Sequence, residues 1–246
     1  MGFELNWHVF FEDMPGGGVQ YWQLLVSGVG WTLAVSALAW IIALALGTVI
    51  GTVRTTQYPW LTRLGNAWVE LFRNIPLLVQ IFLWYFVIPE FVPPLKRWIV
   101  AADPIDAQFA AAVICLGLFT SARIAEQVRA GIESLSRGQR YAGMAIGLKQ
   151  RQVYRYVLLP MAFRIIIPPL TSESMNLIKN TSIALTIGLA ELTFRSREMG
   201  EYTFHFFEAF TAATAVYVAI SLIANHVMAL IERRVAVPGY IAGGGR

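Results

Sequence analysis

The chain has 246 residues, of which 57% are hydrophobic and only 14% are charged, and its mean hydropathy is +0.57. Soluble domains carry about 25% charged residues, so this composition excludes an ordinary soluble protein and indicates an integral membrane protein. The net charge of +4 does not indicate nucleic-acid binding, because the basic residues cluster beside apolar runs, where they act as topology signals.

Five apolar runs are predicted to be membrane-spanning helices, because each is long enough to cross a bilayer, which needs about 20 residues. An acidic segment, 1–21, precedes the first run and is predicted to be extracytoplasmic. It lacks the basic start of a cleavable signal peptide, so we expect the first span to direct insertion. The predicted fold is all-α, with spans at about 22–53, 66–89, 107–130, 165–189 and 209–231.

Basic residues set the predicted orientation. Three lie between the first two spans or at the start of the second, eight lie between Arg123 and Arg164, and three lie near the C-terminus. Together these are fourteen of the nineteen Lys and Arg, and the positive-inside rule places them in the cytosol. The N-terminus is therefore predicted to be outside, and the tail, 234–246, to be cytoplasmic.

A polar stretch, 134–160, separates the third and fourth predicted spans on the cytoplasmic side. Helix-forming residues on either side of Gly147 predict two short helices joined at that glycine. An ordinary amphipathic loop is the alternative that the periodicity leaves open.

A short motif in this stretch identifies a family. Tyr141-Ala142-Gly143 is followed by Gly147 and then by Leu158-Leu159-Pro160. This order resembles the signature loop of ABC importer permease subunits of the polar amino acid family, which reads Glu-Ala-Ala, three residues, Gly, and a hydrophobic-Leu-Pro close. Tyr141 stands where the family has Glu, and Gly143 where it has the second Ala. The resemblance implies that this stretch, 134–160, which we call the coupling segment, docks a separate ATPase. The residues implied are Gly138, Tyr141, Ala142, Gly143, Gly147 and Pro160.

Further stretches match the same family in the same order, so the resemblance extends from about Ser27 to Arg233. They are 71–80, 125–132, 168–173 and 176–182. The resemblance implies the type I permease fold of ABC importers, with one transmembrane domain over 22–233. The residues at 84–90, 154–160 and 171–176 are most similar to those of glutamate/aspartate importers. The implied function is therefore import of an amino acid, glutamate or aspartate, across the bacterial cytoplasmic (inner) membrane.

The resemblance also implies partners. These are a second permease, identical or homologous, two ATP-binding subunits, an extracytoplasmic binding protein, the amino acid substrate and membrane lipid; nucleic acid is not expected. The chain has no Gly-x-x-x-x-Gly-Lys-Ser/Thr phosphate loop. We therefore expect this subunit to be non-catalytic and to bind no cofactor, and ATP and Mg to be used by the partner ATPase.

Charged residues inside a span mark substrate pathways by default, since each costs at least ~2.5–3.5 kcal/mol to insert. Glu173 and Lys179 meet this description, and the hydroxyls of Thr171 and Ser174 lie beside them in the sequence. Structural alternatives stay open: Lys179 pairs with a carboxylate on a neighbouring helix, and the hydroxyls bond helix to helix. Pro168-Pro169, just upstream, predicts a break or kink in this helix.

Arg123, Glu126 and Arg129 recur every three residues in the third span, which predicts an internal ion-pair ladder near the cytosol. The three histidines are scattered and give no metal-ligand spacing, so no metal site is predicted.

Another polar amino acid, such as glutamine, is the alternative substrate. A membrane-embedded enzyme or redox subunit and a passive channel are the alternative classes, but haem-ligand pairs, cysteine clusters and nucleophile motifs are missing from the sequence.

Overall fold

The computed structural model describes residues 5–235, and over that range its regular elements are helices, apart from one isolated bridge between Asp13 and Gln20. The first four residues and the predicted tail beyond residue 235 lie outside the described residues. After a 3₁₀ turn at Trp7–Phe11, the α-helices are α1 Tyr21–Val53, α2 Pro59–Asn74, α3 Leu77–Phe82, α4 Ile88–Phe91, α5 Pro93–Ala101, α6 Pro104–Glu133, α7 Arg137–Ala145, α8 Gln150–Val153, α9 Leu159–Asn180, α10 Leu192–Thr203 and α11 Phe206–Val235.

Four helical stretches of the described chain are long and apolar enough to cross a membrane. They are Tyr21–Val53, Pro104–Glu133, Gln150–Ile187 and Phe206–Val235. A fifth span arises if the bent pair Pro59–Asn74 and Leu77–Phe91 is counted as one. The expectation of an all-α membrane protein with about five spans is confirmed.

The predicted second span, 66–89, is not a straight helix. Its two halves differ in direction by 101°, and the break falls at Ile75 and Pro76. Proline clashes with a helical conformation of the residue before it, and Ile75 is extended, with φ −89° and ψ 127°. The bend therefore follows from the local sequence.

Two further prolines are preceded by π-helical turns, at Leu83–Val87 and at Tyr154–Leu158. Each turn ends two residues before its proline, Pro89 or Pro160. A proline ring clashes with the carbonyl four residues earlier, and that carbonyl belongs to a residue of the π turn in both cases. The wider π turn makes room for the ring. The N–H of the residue before each proline still donates to the carbonyl five residues earlier, from Ile88 to Leu83 and from Leu159 to Tyr154.

Of the break or kink predicted at Pro168-Pro169, the break is not found, because α9 continues through both prolines from Leu159 to Asn180. Each proline removes only one donor, and the surrounding residues keep their helical hydrogen bonds. The regular helix instead tightens after Asn180 into a 3₁₀ turn, Thr181–Ile187, which Gly188 ends in the left-handed conformation, with φ +88°.

The described chain folds into two compact units. The first contains 5–40, 76–117 and 176–222, and the second contains 41–75, 118–175 and 223–235. In the first unit, the start of α1 packs with α10 and α11 around Leu24, Leu192 and Met199. In the second unit, the end of α1 packs against α6, and the coupling segment follows α6 in the chain.

Two glycines bring α1 into direct contact with α6 in the second unit. A Cβ placed on Gly47 would lie 2.7 Å from the Cβ of Ile124, and one on Gly51 would lie 2.6 Å from the carbonyl oxygen of Ala125. Both distances are shorter than real carbon contacts. The absence of a side chain at these positions therefore sets the separation of the two helices.

We expect Gly51→Ala to destabilise the protein, because the added methyl forces α1 away from α6 and overpacking of this kind costs about 1–3 kcal/mol. The measurement is the thermal unfolding midpoint of the purified protein in detergent. Gly30→Ala on the same helix is the matched control, since a Cβ there has no atom within 4 Å. Equal midpoints for the two variants would contradict the assigned contact.

Candidate functional site

The coupling segment contains two helices, α7 and α8, with Gly147 between them. Gly147 has φ +88°, and its N–H donates to the carbonyl of Met144 at 3.0 Å. The N–H of Leu148 donates to the carbonyl of Gly143 at 3.2 Å. These two bonds form a Schellman motif, which ends α7 and favours glycine at this position.

The second part of the segment is held to the first by close packing. A Cβ on Gly143 of α7 would lie 3.2 Å from Val153 of α8, so this small residue permits the two helices to touch. The side chain of Gln152 accepts a hydrogen bond from the backbone N–H of Lys149 at 2.8 Å, which caps α8. The two helices therefore form one packed element.

The outer surface of the coupling segment is both apolar and basic. Tyr141 and Ile146 are 61% and 78% exposed, and Met144 and Ala142 are exposed beside them. The segment contains no Asp or Glu. It contains five basic residues, namely Arg137, Arg140, Lys149, Arg151 and Arg155. Gly138 and Pro160 are also exposed.

Glu126 of α6 binds three arginine side chains. Arg54, just after the end of α1, donates to one oxygen of Glu126 at 2.9 Å and to the side-chain oxygen of Asn66 at 2.7 Å. Arg73 lies 3.4 Å from that same carboxylate oxygen, and Arg129 lies 3.3 Å from the other oxygen. The Arg54 side chain is the buried member, with only 7% of its surface exposed.

The predicted ladder of Arg123, Glu126 and Arg129 forms only in part. Arg129 pairs with Glu126, but Arg123 lies 3.6 Å from Glu173 of α9 instead. Arg123 and Arg129 are six residues apart, which places them about 240° from each other around the helix, so the two arginines do not share a face. Arg54 and Arg73 occupy the carboxylate from other helices.

The other candidate pathway residues lie on α9. Thr171 and Ser174 donate to backbone carbonyls of their own helix, at 3.1 Å and 2.7 Å, rather than to another helix. Glu173 is partly buried, and Lys179 is exposed, with no carboxylate oxygen within 4 Å over residues 5–235. The alternative in which Lys179 pairs with a neighbouring carboxylate is therefore not found in the described part of the chain.

Sequence reasoning missed Glu191, which is completely buried in the first unit. Its carboxylate accepts hydrogen bonds from the N–H groups of Thr193 and Phe194, at 3.0 Å and 2.8 Å, and from the Tyr217 hydroxyl at 2.7 Å. Burial raises the pKa of the Glu191 carboxyl, and these hydrogen bonds oppose the rise. The signal in the sequence was a lone acid directly after the apolar run 187–190.

We expect Glu126→Gln to destabilise the protein by about 3–5 kcal/mol, because it leaves the buried Arg54 guanidinium without a counter-charge. Glu133→Gln is the matched control, since Glu133 is exposed and, within residues 5–235, pairs only with Arg129 on the same helix. Its effect is expected to stay below about 1 kcal/mol. Thermal unfolding in detergent is the measurement.

The double variant Arg54→Met/Glu126→Gln extends this test. Removing Arg54 together with Glu126 leaves no buried guanidinium without a counter-charge, because the side chains of Arg73 and Arg129 are 55% and 36% exposed. The double variant is therefore expected to be more stable than Glu126→Gln alone. A double variant that loses the sum of the two single effects would contradict the assigned pair.

Comparison with known proteins connects this geometry to a family. The chain is 47% identical over 245 residues to the glutamate/aspartate import permease protein GltJ of Escherichia coli (strain K12), covering 99% of this chain and 100% of GltJ. It is 33% identical to the glutamine transport system permease protein GlnP of the same strain, covering 95% and 99%.

A solved structure shares the fold. The crystal structure of an amino acid ABC transporter with histidines superposes with a TM-score of 0.72 and 29% identity, covering 87% of this chain and 95% of that one. Residues 43–237 match the family described as "binding-protein-dependent transport system inner membrane component". The match covers more than half of the sequence, and the chain therefore belongs to this family of inner membrane transport components.

Proposed function

We propose that this chain is a permease subunit of an ATP-driven importer that moves glutamate or aspartate across the bacterial cytoplasmic membrane. The observation that carries the proposal is the 47% identity to GltJ, which extends over the whole length of both chains. The positive-inside rule supports an extracytoplasmic N-terminus and a cytoplasmic C-terminus and coupling segment. The proposed domain is a single transmembrane permease domain over 22–233.

The proposed complex contains a second permease, two ATP-binding subunits and an extracytoplasmic binding protein. The family description supports the dependence on a binding protein. ATP and Mg act in the partner subunits, because this chain has no phosphate loop. The mass of the assembled complex decides whether the second permease is a second copy of this chain or a homologue of it.

The coupling segment supplies the docking surface for the ATPase in this proposal. Its apolar centre, Tyr141, Met144 and Ile146, suits a hydrophobic groove on the partner. Its five basic residues and missing acids suit an acidic rim around that groove. Tyr141 replaces the acidic residue of the family pattern. Docking in this proposal therefore rests on apolar contacts of the exposed segment and on ion pairs between its basic residues and carboxylates of the partner.

The function is tested in vesicles that contain this chain, its partner subunits and the binding protein. Glutamate uptake is expected to require ATP hydrolysis, and uptake that continues without ATP would contradict the proposed function. Gly147→Pro is expected to abolish uptake and co-purification of the ATPase, because proline cannot adopt φ +88°. Gly147→Asn is the matched control, since asparagine tolerates the left-handed conformation. Normal uptake by the proline variant would refute the docking role of this turn.

Substrate handling is proposed for Glu173 and Lys179, with Thr171 and Ser174 beside them on α9. Lys179 is exposed and has no carboxylate partner over residues 5–235, so it is free to attract an anionic side chain. The similarity to GlnP favours glutamine as the second candidate substrate. Comparing uptake of the two amino acids therefore distinguishes a charge-dependent pathway from a neutral one.

We expect Lys179→Ala to reduce glutamate uptake by at least about fivefold, which is the effect of losing one hydrogen bond between a charged side chain and the substrate. Co-purification of the ATPase is expected to be retained. Lys96→Ala is the control, because Lys96 lies outside the candidate spans and pairs with Glu90 at the surface. Equal loss of uptake and ATPase binding would assign Lys179 a structural role.

A further inference from the structure

The end of α1 and the coupling segment meet at a tyrosine. Tyr154 begins the π turn of the segment, and only 8% of its surface is exposed. Its hydroxyl donates to the backbone carbonyl of Thr55 at 2.8 Å. The Thr55 hydroxyl donates to the Thr52 carbonyl at 2.8 Å and lies 3.2 Å from the tyrosine oxygen. A side chain of the segment therefore satisfies a carbonyl just beyond the end of α1.

The residue before Thr55 is held firmly from the other side. Arg54 bonds Asn66 of α2 and Glu126 of α6, and both bonds involve a charged donor, which makes them stronger than neutral ones. Gly51, one turn earlier, is in direct contact with α6. The position of Thr55 is therefore tied to three helices of the second unit.

Tyr154 is in turn tied to the docking surface. It directly follows Val153, which contacts Gly143 of α7. A cavity of about 330 Å³ lies beside this junction, and its walls include Thr55, Tyr154, Glu133, Arg137 and Arg140. Open space therefore borders the first turn of α7 at this point, and the Tyr154 hydroxyl bridges the segment to Thr55 across the wall of the cavity.

We propose that Tyr154 is a positioning residue that transmits displacement of the coupling segment to the cytoplasmic end of α1 through its hydroxyl bond to the Thr55 carbonyl. The proposal rests on the proposed function, since it assigns a mechanical role to the segment that docks the ATPase. A displacement of α7 moves Val153 through its contact with Gly143, and with it Tyr154 and the bonded Thr55 carbonyl. Arg54, the residue before Thr55, couples this displacement to α2 and α6.

The test uses the reconstituted complex and measures glutamate uptake and ATP hydrolysis in the same vesicles. The readout is the number of glutamate molecules transported per ATP hydrolysed. Tyr154→Phe removes only the hydroxyl and is expected to lower this ratio about two- to tenfold, the range of one hydrogen bond. Basal hydrolysis and co-purification of the ATPase are expected to change by less than about twofold, because Tyr154 is buried and the exposed surface of the coupling segment is unaltered.

Two controls make the test specific. Tyr156→Phe removes a hydroxyl from the same π turn, but Tyr156 is 61% exposed, and the ratio is expected to stay at the wild-type value. Thr55→Val keeps the backbone carbonyl that accepts the bond, so its effect is expected to be smaller than that of Tyr154→Phe.

Each contrary result overturns the inference. An unchanged ratio in Tyr154→Phe, or an equal loss in Tyr156→Phe, would exclude a specific role for the Tyr154 hydroxyl. A Thr55→Val effect as large as that of Tyr154→Phe would exclude the carbonyl as the essential acceptor. Loss of ATPase co-purification in Tyr154→Phe would assign the hydroxyl to the shape of the segment instead. Failure of the proposed function itself is seen separately, as ATP-independent uptake by the wild-type complex.

Discussion

The second unit depends on the buried contact between Arg54 and Glu126. A single guanidinium group at the end of α1 bonds α2 through Asn66 and α6 through Glu126, and so fixes three helices at one point. Glycines make this possible. Gly51 permits close approach of α1 to α6, and Gly65 leaves space for the Arg54 stem, since a Cβ there would lie 2.5 Å from it. Small residues thus bring the helices together, and the ion pair then sets their register.

Proline determines where the helices change geometry, and the outcome depends on what surrounds it. Pro76 bends a span by 101°, Pro160 follows a π turn, and Pro168-Pro169 lies inside an unbroken helix. All four prolines lack an N–H donor, but the helix geometry around them differs among the three places. The π turn before Pro160 has a consequence for the site, because it contains Tyr154 and Leu158, which are both buried.

The sequence predicted what is local and missed what depends on tertiary partners. Apolar run length predicted the spans, and Gly147 predicted the end of α7, because both are properties of neighbouring residues. Arg54 looked like an ordinary topology charge, since its partner Glu126 is 72 residues away. Arg123 was assigned to the wrong carboxylate for the same reason, because packing rather than spacing selects Glu173.

The two contacts at the end of α1 differ in a way that suits a moving joint. Arg54 binds through charged hydrogen bonds inside the protein, and breaking them would strand a buried charge at a cost of several kcal/mol. Tyr154 binds Thr55 through a neutral hydrogen bond worth only about 0.5–1.5 kcal/mol net, with a cavity beside it. A moving contact between two helical elements needs one attachment that stays intact and one that can break and re-form at low cost. The adjacent residues Arg54 and Thr55 provide these two attachments.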